Sequence, residues 1–70
     1  MSSEDQQINK LKELILNPTA TIGQQQHAID NLVTYGQKAV DALLEISKSP
    51  MAAGVEEYAL SAITKIRTNR

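Results

Sequence analysis

The sequence lacks cysteine, tryptophan and phenylalanine, and each absence excludes a class of structure or chemistry. Without cysteine the chain can form no disulfide, no thiolate zinc site and no cysteine nucleophile, and it fits a reducing compartment. Its two aromatic residues are Tyr35 and Tyr58, so the core must be aliphatic. An apolar fraction of 41%, most of it Leu, Ile, Val and Ala, favours packed helices over strands, which are enriched in aromatic residues.

Long apolar runs and an excess of one charge are also missing. No stretch approaches the roughly 20 apolar residues that a membrane-spanning helix needs. Met1 to Asp5 are polar and acidic, so we expect no secretory signal and a location in the cytoplasm. Seven basic and eight acidic side chains leave a formal net charge of -1, which offers no broad field to attract nucleic acid or anionic lipid. Seventy residues predict one domain, 1–70, with a modest core.

Apolar residues recur at helical spacing in four stretches, which predicts an all-α fold. The first helix is expected from about Glu4 to Leu16, with Ser3 as its cap and Asn17-Pro18 as its stop. Its inner stripe is predicted to hold the aliphatic residues Ile8, Leu11, Leu14 and Ile15. The second helix should begin near Thr21 in a capping box with Gln24 and end at a left-handed Gly36. Its predicted buried residues are Ile22, Ala28, Ile29, Leu32 and Val33.

The third helix is predicted over roughly Lys38 to Lys48, and the beginning of the fourth is ambiguous. Ser49 as a cap with Pro50 in the first turn would start it early, whereas Gly54 favours a start nearer Ala53, which we prefer. The connections are short, so neighbouring helices should be antiparallel. The third helix is expected to bury Ala39, Val40, Leu43, Leu44 and Ile46, and the fourth Val55, Ala59, Ala62, Ile63 and Ile66.

The two halves of the sequence match each other, which indicates an internal repeat over about 4–35 and 37–67. A shift of 32 residues aligns the first helices, and a shift of 31 aligns the second helices. The alternative is that amphipathic helices align by chance, but the matched prolines and glycines favour repetition. A repeated helix pair predicts two stacked helical hairpins with a shared core. The matched positions pair Ile8 with Val40, Leu11 with Leu43, Leu14 with Ile46, Gly23 with Gly54, Ala28 with Ala59, Ile29 with Leu60, and Leu32 with Ile63.

The run from Gly36 to Ile46 resembles the GxxAVxxLLxxL pattern that opens a HEAT-like repeat of the phycobilisome-lyase type. The run from Val55 to Ile66 is similar to the second helix of that repeat. The resemblance implies a short α-solenoid that acts as a scaffold for protein binding, without catalysis. Where the family places Asp and then Val-Arg, this sequence has Gly23-Gln24-Gln25 and Gly54-Val55-Glu56, so a charge ladder between repeats is not expected.

Residues that carry chemistry are sparse, and we predict no enzyme, no metal site and no cofactor. His27 is the single histidine and is expected on the surface, and no HExxH motif or phosphate-binding glycine loop is present. The carboxylates lie on predicted polar faces, so we interpret them as solvated surface residues rather than as an acid–base pair. A basic tail of Lys65, Arg67 and Arg70 supports one alternative function, a small regulator that binds nucleic acid weakly.

Two repeats expose at their ends the faces that a longer array would cover. Ile29 should pack against the second repeat, so its counterpart Leu60 would point toward a third pair that the sequence does not contain. We therefore expect an exposed apolar strip that binds another protein or a second copy of the chain. The alternative is a compact four-helix bundle in which Tyr58 and Leu60 are covered. The residues assigned to the strip are Leu60, Tyr58 and Thr64, with Leu44 or Leu16 beside them.

Overall fold

The computed structural model describes residues 3–68, and every regular element within that range is helical. Two 3₁₀ segments, Gly36–Ala39 and Pro50–Val55, precede the last two α-helices. The all-α fold with four helices is thus confirmed. The helices are α1 (Ser3–Ile15), α2 (Ile22–Val33), α3 (Val40–Lys48) and α4 (Glu56–Thr68).

The helices form two antiparallel hairpins, and the second hairpin stacks on the first. α1 pairs with α2 and α3 pairs with α4, while across the stack α1 packs on α3 and α2 packs on α4. Two ion pairs show that α1 and α3 run in the same direction. Lys38 Nζ lies 3.1 Å from Glu4 Oε1 near the beginning of both helices, and Lys12 Nζ lies 2.8 Å from Glu45 Oε2 farther along.

The second helices of the hairpins are parallel as well. A Cβ atom at Gly54 would lie 3.3 Å from Ile22 Cδ1, which places the start of α2 beside the segment that leads into α4. Farther along, Tyr58 Oη donates a 2.6 Å hydrogen bond to Asp30 Oδ1. The two hairpins therefore stack with their corresponding helices parallel, as the internal sequence repeat predicts.

A single apolar core runs through both hairpins. Since neither hairpin forms a closed core by itself, the apolar side chains of each hairpin are buried by the other. The amide of Gln25 is the one polar side chain buried among the described residues. The buried apolar residues are Ile8, Ile15, Ala28, Ile29, Leu32, Ala39, Val40, Ala42, Leu43, Ile46, Ala52, Val55, Ala59, Ala62, Ile63 and Ile66.

Side-chain hydrogen bonds fix the helix boundaries in the connection between α1 and α2. Asn17 Oδ1 accepts hydrogen bonds from Thr19 N and Thr19 Oγ1, which stabilises the turn after α1. Thr21 Oγ1 accepts from Gln24 N at 3.1 Å and Gln24 Oε1 accepts from Thr21 N at 3.0 Å, so the predicted capping box is confirmed. Ser3, predicted as the cap of α1, is instead part of the helix.

Gly36 has a φ of 64°, the left-handed conformation predicted for it. The α-helical part of α2 already ends at Val33, and Gly36 opens the 3₁₀ segment that leads into α3. Glycine adopts this backbone conformation without the steric penalty of a Cβ atom. The turn between the hairpins therefore depends on this position.

The fourth helix begins later than either alternative considered from the sequence. Ser49 Oγ accepts from Met51 N at 3.2 Å with Pro50 next in the chain, so the early cap exists. The segment that it starts is 3₁₀, however, and the backbone of Ala52 is not helical. The preferred start near Ala53 was wrong by three residues, because α4 begins at Glu56.

Two residues expected in the core are exposed. Leu14 retains 44% of its accessible surface and Ile22 retains 55%. Leu14 lies two residues beyond Lys12, which faces α3, and two residues correspond to about 200° around a helix. Leu14 therefore points away from the second hairpin, where the described chain has no further layer to cover it.

Residues 3 and 68, where the described part of the chain begins and ends, lie at the same end of the stack. Glu4 contacts Lys38, and Thr68 lines a depression with Gly36. The beginning of α1 and the end of α4 therefore both lie beside the Gly36–Ala39 segment. The Asn17-Pro18 turn and the Pro50–Val55 segment occupy the opposite end.

Candidate interaction surface

The last hairpin presents Leu44 and Leu60 on its outer side, which we call the C-terminal flank. Ala62 lines a depression with Asp30 of α2, and Leu60, two residues earlier, points about 200° away from it. By the same geometry, Ala42 lines a groove with Ile8 of α1 and Leu44 points away from α1. Both leucines thus face the side where a third hairpin would stack, as predicted for Leu60.

The two leucines of the C-terminal flank differ in exposure. Leu60 retains 44% of its accessible surface, whereas Leu44 is half-buried and packs on the core. Thr64 is exposed beside Leu60 in a shallow depression, and its Oγ1 donates to the carbonyl of Leu60 at 3.1 Å. With its hydroxyl satisfied within the helix, Thr64 offers mainly its methyl group to a partner.

Tyr58 and Leu16 lie outside this flank, which corrects the predicted strip. The side chain of Tyr58 extends toward α2, where its hydroxyl donates to Asp30. This hydrogen bond and the nearby negative charge raise the pKa of Tyr58. Leu16 follows the end of α1 in the first hairpin and is half-buried against the core. Tyr58 therefore stabilises the stack rather than extending the exposed apolar strip.

A second apolar surface lies between α1 and α2, on the side opposite the second hairpin. Asn31 is two residues from Val33, which lines the depression shared with α4, so Asn31 points away from α4. We call this groove of about 290 Å³ the N-terminal flank. Its lining residues are Leu11, Leu14, Gly23, Gln24, His27, Ala28 and Asn31.

The N-terminal flank is lined without any Asp, Glu, Lys or Arg side chain. In contrast, the groove between α1 and α3 contains Lys12 and Glu45, and the depression between α2 and α4 contains Asp30 and Lys65. Sequence reasoning missed this surface because Leu11 and Leu14 were placed in the inner stripe. Depletion of charge around exposed aliphatic residues is the pattern found at the centre of protein interfaces.

Gln25 links the two hairpins through a buried amide. Its Nε2 donates to the carbonyl of Ile15 at 2.8 Å and to that of Met51 at 3.2 Å. The bonds join the end of α1 to the segment that precedes α4. A neutral side chain therefore makes the connection between the two hairpins.

The groove between α1 and α3 is polar and is bordered by two ion pairs. Lys12 bonds Glu45, and the hydrogen bond to Glu4 with its negative charge raises the pKa of Lys38. Ion pairs this exposed are screened by water and contribute little to stability. Among residues 3–68 no group of His, Asp and Glu is placed to hold a metal ion. The groove is a polar surface open to solvent.

The two described residues of the alternative nucleic-acid surface, Lys65 and Arg67, are not brought together. Lys65 and Arg67 are both exposed, but two residues apart on α4 they point in directions about 160° apart. Arg70 lies outside the described residues. His27 is exposed on the N-terminal flank. Weak nucleic-acid binding stays a prediction from the sequence.

Comparison with known proteins identifies no relative. No family model matches the sequence, no curated protein is similar to it, and no solved structure matches the fold. Among the described helices, none combines the length and the apolar character that crossing a bilayer requires.

Proposed function

We propose that this chain is a non-catalytic protein-interaction module built from two HEAT-like repeats, and that its apolar flanks are the binding surfaces. The observation that carries the proposal is the exposure of Leu14 on one side of the stack and Leu60 on the other. Terminal repeats of a self-contained array usually present a polar outer face. Apolar outer faces favour a molecule that binds a partner at its ends.

The parallel stacking of the hairpins supports the HEAT-like interpretation. In a solenoid each helix pair contacts its neighbours in sequence, so a partner can extend the stack at either end. The charged groove between α1 and α3 is less suited to tight binding, because its carboxylates and ammonium groups would have to be desolvated. A chain without cysteine fits this role in the reducing cytoplasm.

Site-specific photo-crosslinking in cells that produce the protein tests the proposal. A photoreactive aromatic amino acid is placed at Leu14, at Leu60 or at Met51, which is equally exposed at 45% but lies on neither flank. We expect discrete crosslinked products at position 14 or 60 that are missing at position 51. The same products at all three positions, or none at either flank, would refute a binding role for these surfaces.

A further inference from the structure

The internal repeat relates the exposed flank residues to buried counterparts. Leu14 is exposed, but Ile46, its match at a shift of 32, is fully buried. Conversely, Ile29 is fully buried, whereas Leu60, its match at a shift of 31, is exposed. Each exposed leucine thus occupies a position that is covered in the other hairpin.

From these matches we infer that the protein associates with itself head to tail, with the C-terminal flank of one copy packed on the N-terminal flank of the next. This contact would continue the stack by which α3 and α4 pack on α1 and α2. It would cover Leu60 of one copy with the groove around Leu14 of the other. The inference depends on the proposed function, for which it names the partner.

Around Leu60, the lining of the N-terminal flank is compatible with this contact. The N-terminal flank has no formally charged lining residue, so Lys65 near Leu60 meets no like charge there. Within the chain Tyr58 donates to Asp30, and the repeat matches these two residues with His27 and Ser61. The same stacking therefore places His27 of one copy opposite Ser61 of the next, and the two can form a hydrogen bond.

The size of the surface predicts weak association. An end face two helices wide measures about 20 Å by 20 Å, an area of about 400 Å². This is less than the roughly 800 Å² that each partner contributes to a standard stable interface. The two faces are also different, so the contact is not closed by a two-fold axis, and copies can add successively. We expect an average mass that continues to rise beyond the dimer as concentration increases.

Sedimentation of the purified chain, from about 10 μM to about 1 mM, a range suited to weak complexes, tests this inference. We expect Leu14→Glu and Leu60→Glu each to remain monomeric, and Met51→Glu to associate like the original protein. An equimolar mixture of Leu14→Glu and Leu60→Glu should form dimers and stop there. Each variant retains one intact flank, and the intact flanks are complementary.

Other outcomes overturn the inference. An original chain that stays monomeric to about 1 mM, or a mixture that remains monomeric, excludes head-to-tail association. Loss of association in Leu14→Glu but not in Leu60→Glu indicates a symmetric dimer through the N-terminal flank. If the chain is monomeric yet crosslinks to another protein at a flank in cells, the inference fails and the proposed function stands. Circular dichroism and the milder Leu14→Gln and Leu60→Gln variants exclude misfolding as the cause.

Discussion

At Gln25, one neutral amide connects three parts of the chain that are distant in sequence. Its two donated hydrogen bonds go to the carbonyls of Ile15 and Met51. Every side-chain polar atom buried in the described part of the chain has a partner, so this amide stabilises the stack without an unsatisfied group. A buried charge at the same place would have to overcome a larger desolvation penalty.

We expect Gln25→Leu to lower the free energy of unfolding by about 2 kcal/mol, because the bonds to both carbonyls are lost while the volume is nearly kept. The matched control is Gln26→Leu on the half-buried next residue, whose effect should stay within about 0.5 kcal/mol. Urea unfolding followed by circular dichroism measures both. Equal effects of the two substitutions would contradict a structural role for the buried amide.

The Tyr58–Asp30 hydrogen bond predicts a specific pH dependence. Because the bond to Asp30 raises the pKa of Tyr58 above its ordinary value of 10.0, the folded state holds the phenolic proton more tightly than the unfolded state. The stability from this bond is complete below the unfolded pKa and is lost as pH rises through the higher folded pKa. Near neutral pH it is constant.

The ultraviolet absorbance of tyrosinate measures this shift, with Tyr35→Phe in the background so that Tyr58 alone titrates. We expect Asp30→Ala to move the pKa of Tyr58 back toward 10.0, the ordinary value, because both the acceptor and the charge are removed. Substitution of the neighbouring Asn31 by Ala is the control and should leave the titration in place. An unchanged titration in Asp30→Ala would show that the hydrogen bond is absent in solution.

At the level of the helices, local chemistry predicted most of the boundaries. The Thr21–Gln24 capping box, the Asn17-Pro18 stop and the left-handed Gly36 depend on a few adjacent residues, so the sequence contains all the necessary information. The beginning of α4 does not depend on adjacent residues alone. Met51 accepts from Gln25 of the first hairpin and Ala52 is fully buried, and these long-range contacts are invisible to local pattern.

Two glycines should respond in opposite directions to alanine. Gly36→Ala should lower the free energy of unfolding by about 1 kcal/mol, because a residue with a Cβ atom is strained at its positive φ. Gly23→Ala should raise it by about 0.5 kcal/mol by restricting the unfolded chain, since its Cβ atom would meet nothing closer than Thr21 Oγ1 at 3.9 Å. Thermal and urea unfolding measure both. Changes of the same sign would contradict this account of the Gly36 turn.

For the whole molecule, the repeat predicted the stack and half of the candidate surface. Matching Ile29 with Leu60 located the C-terminal flank, because a repeat without a successor leaves its outer face uncovered. The N-terminal flank was missed by the same periodicity that identified α1. Apolar spacing shows which residues share a stripe on a helix. The arrangement of all four helices decides which edge of that stripe is covered by another helix.

The meeting of both limits of the described chain at one end of the stack has a practical consequence. Segments joined at residues 3 and 68 would leave from the Gly36 end. Residues 3–68 could therefore be grafted into a surface loop of a host protein, or the two limits linked and the chain reopened at the Pro18 turn, because neighbouring termini favour such rearrangements. Grafted into such a loop, the module would project from its carrier with the Asn17-Pro18 end outermost.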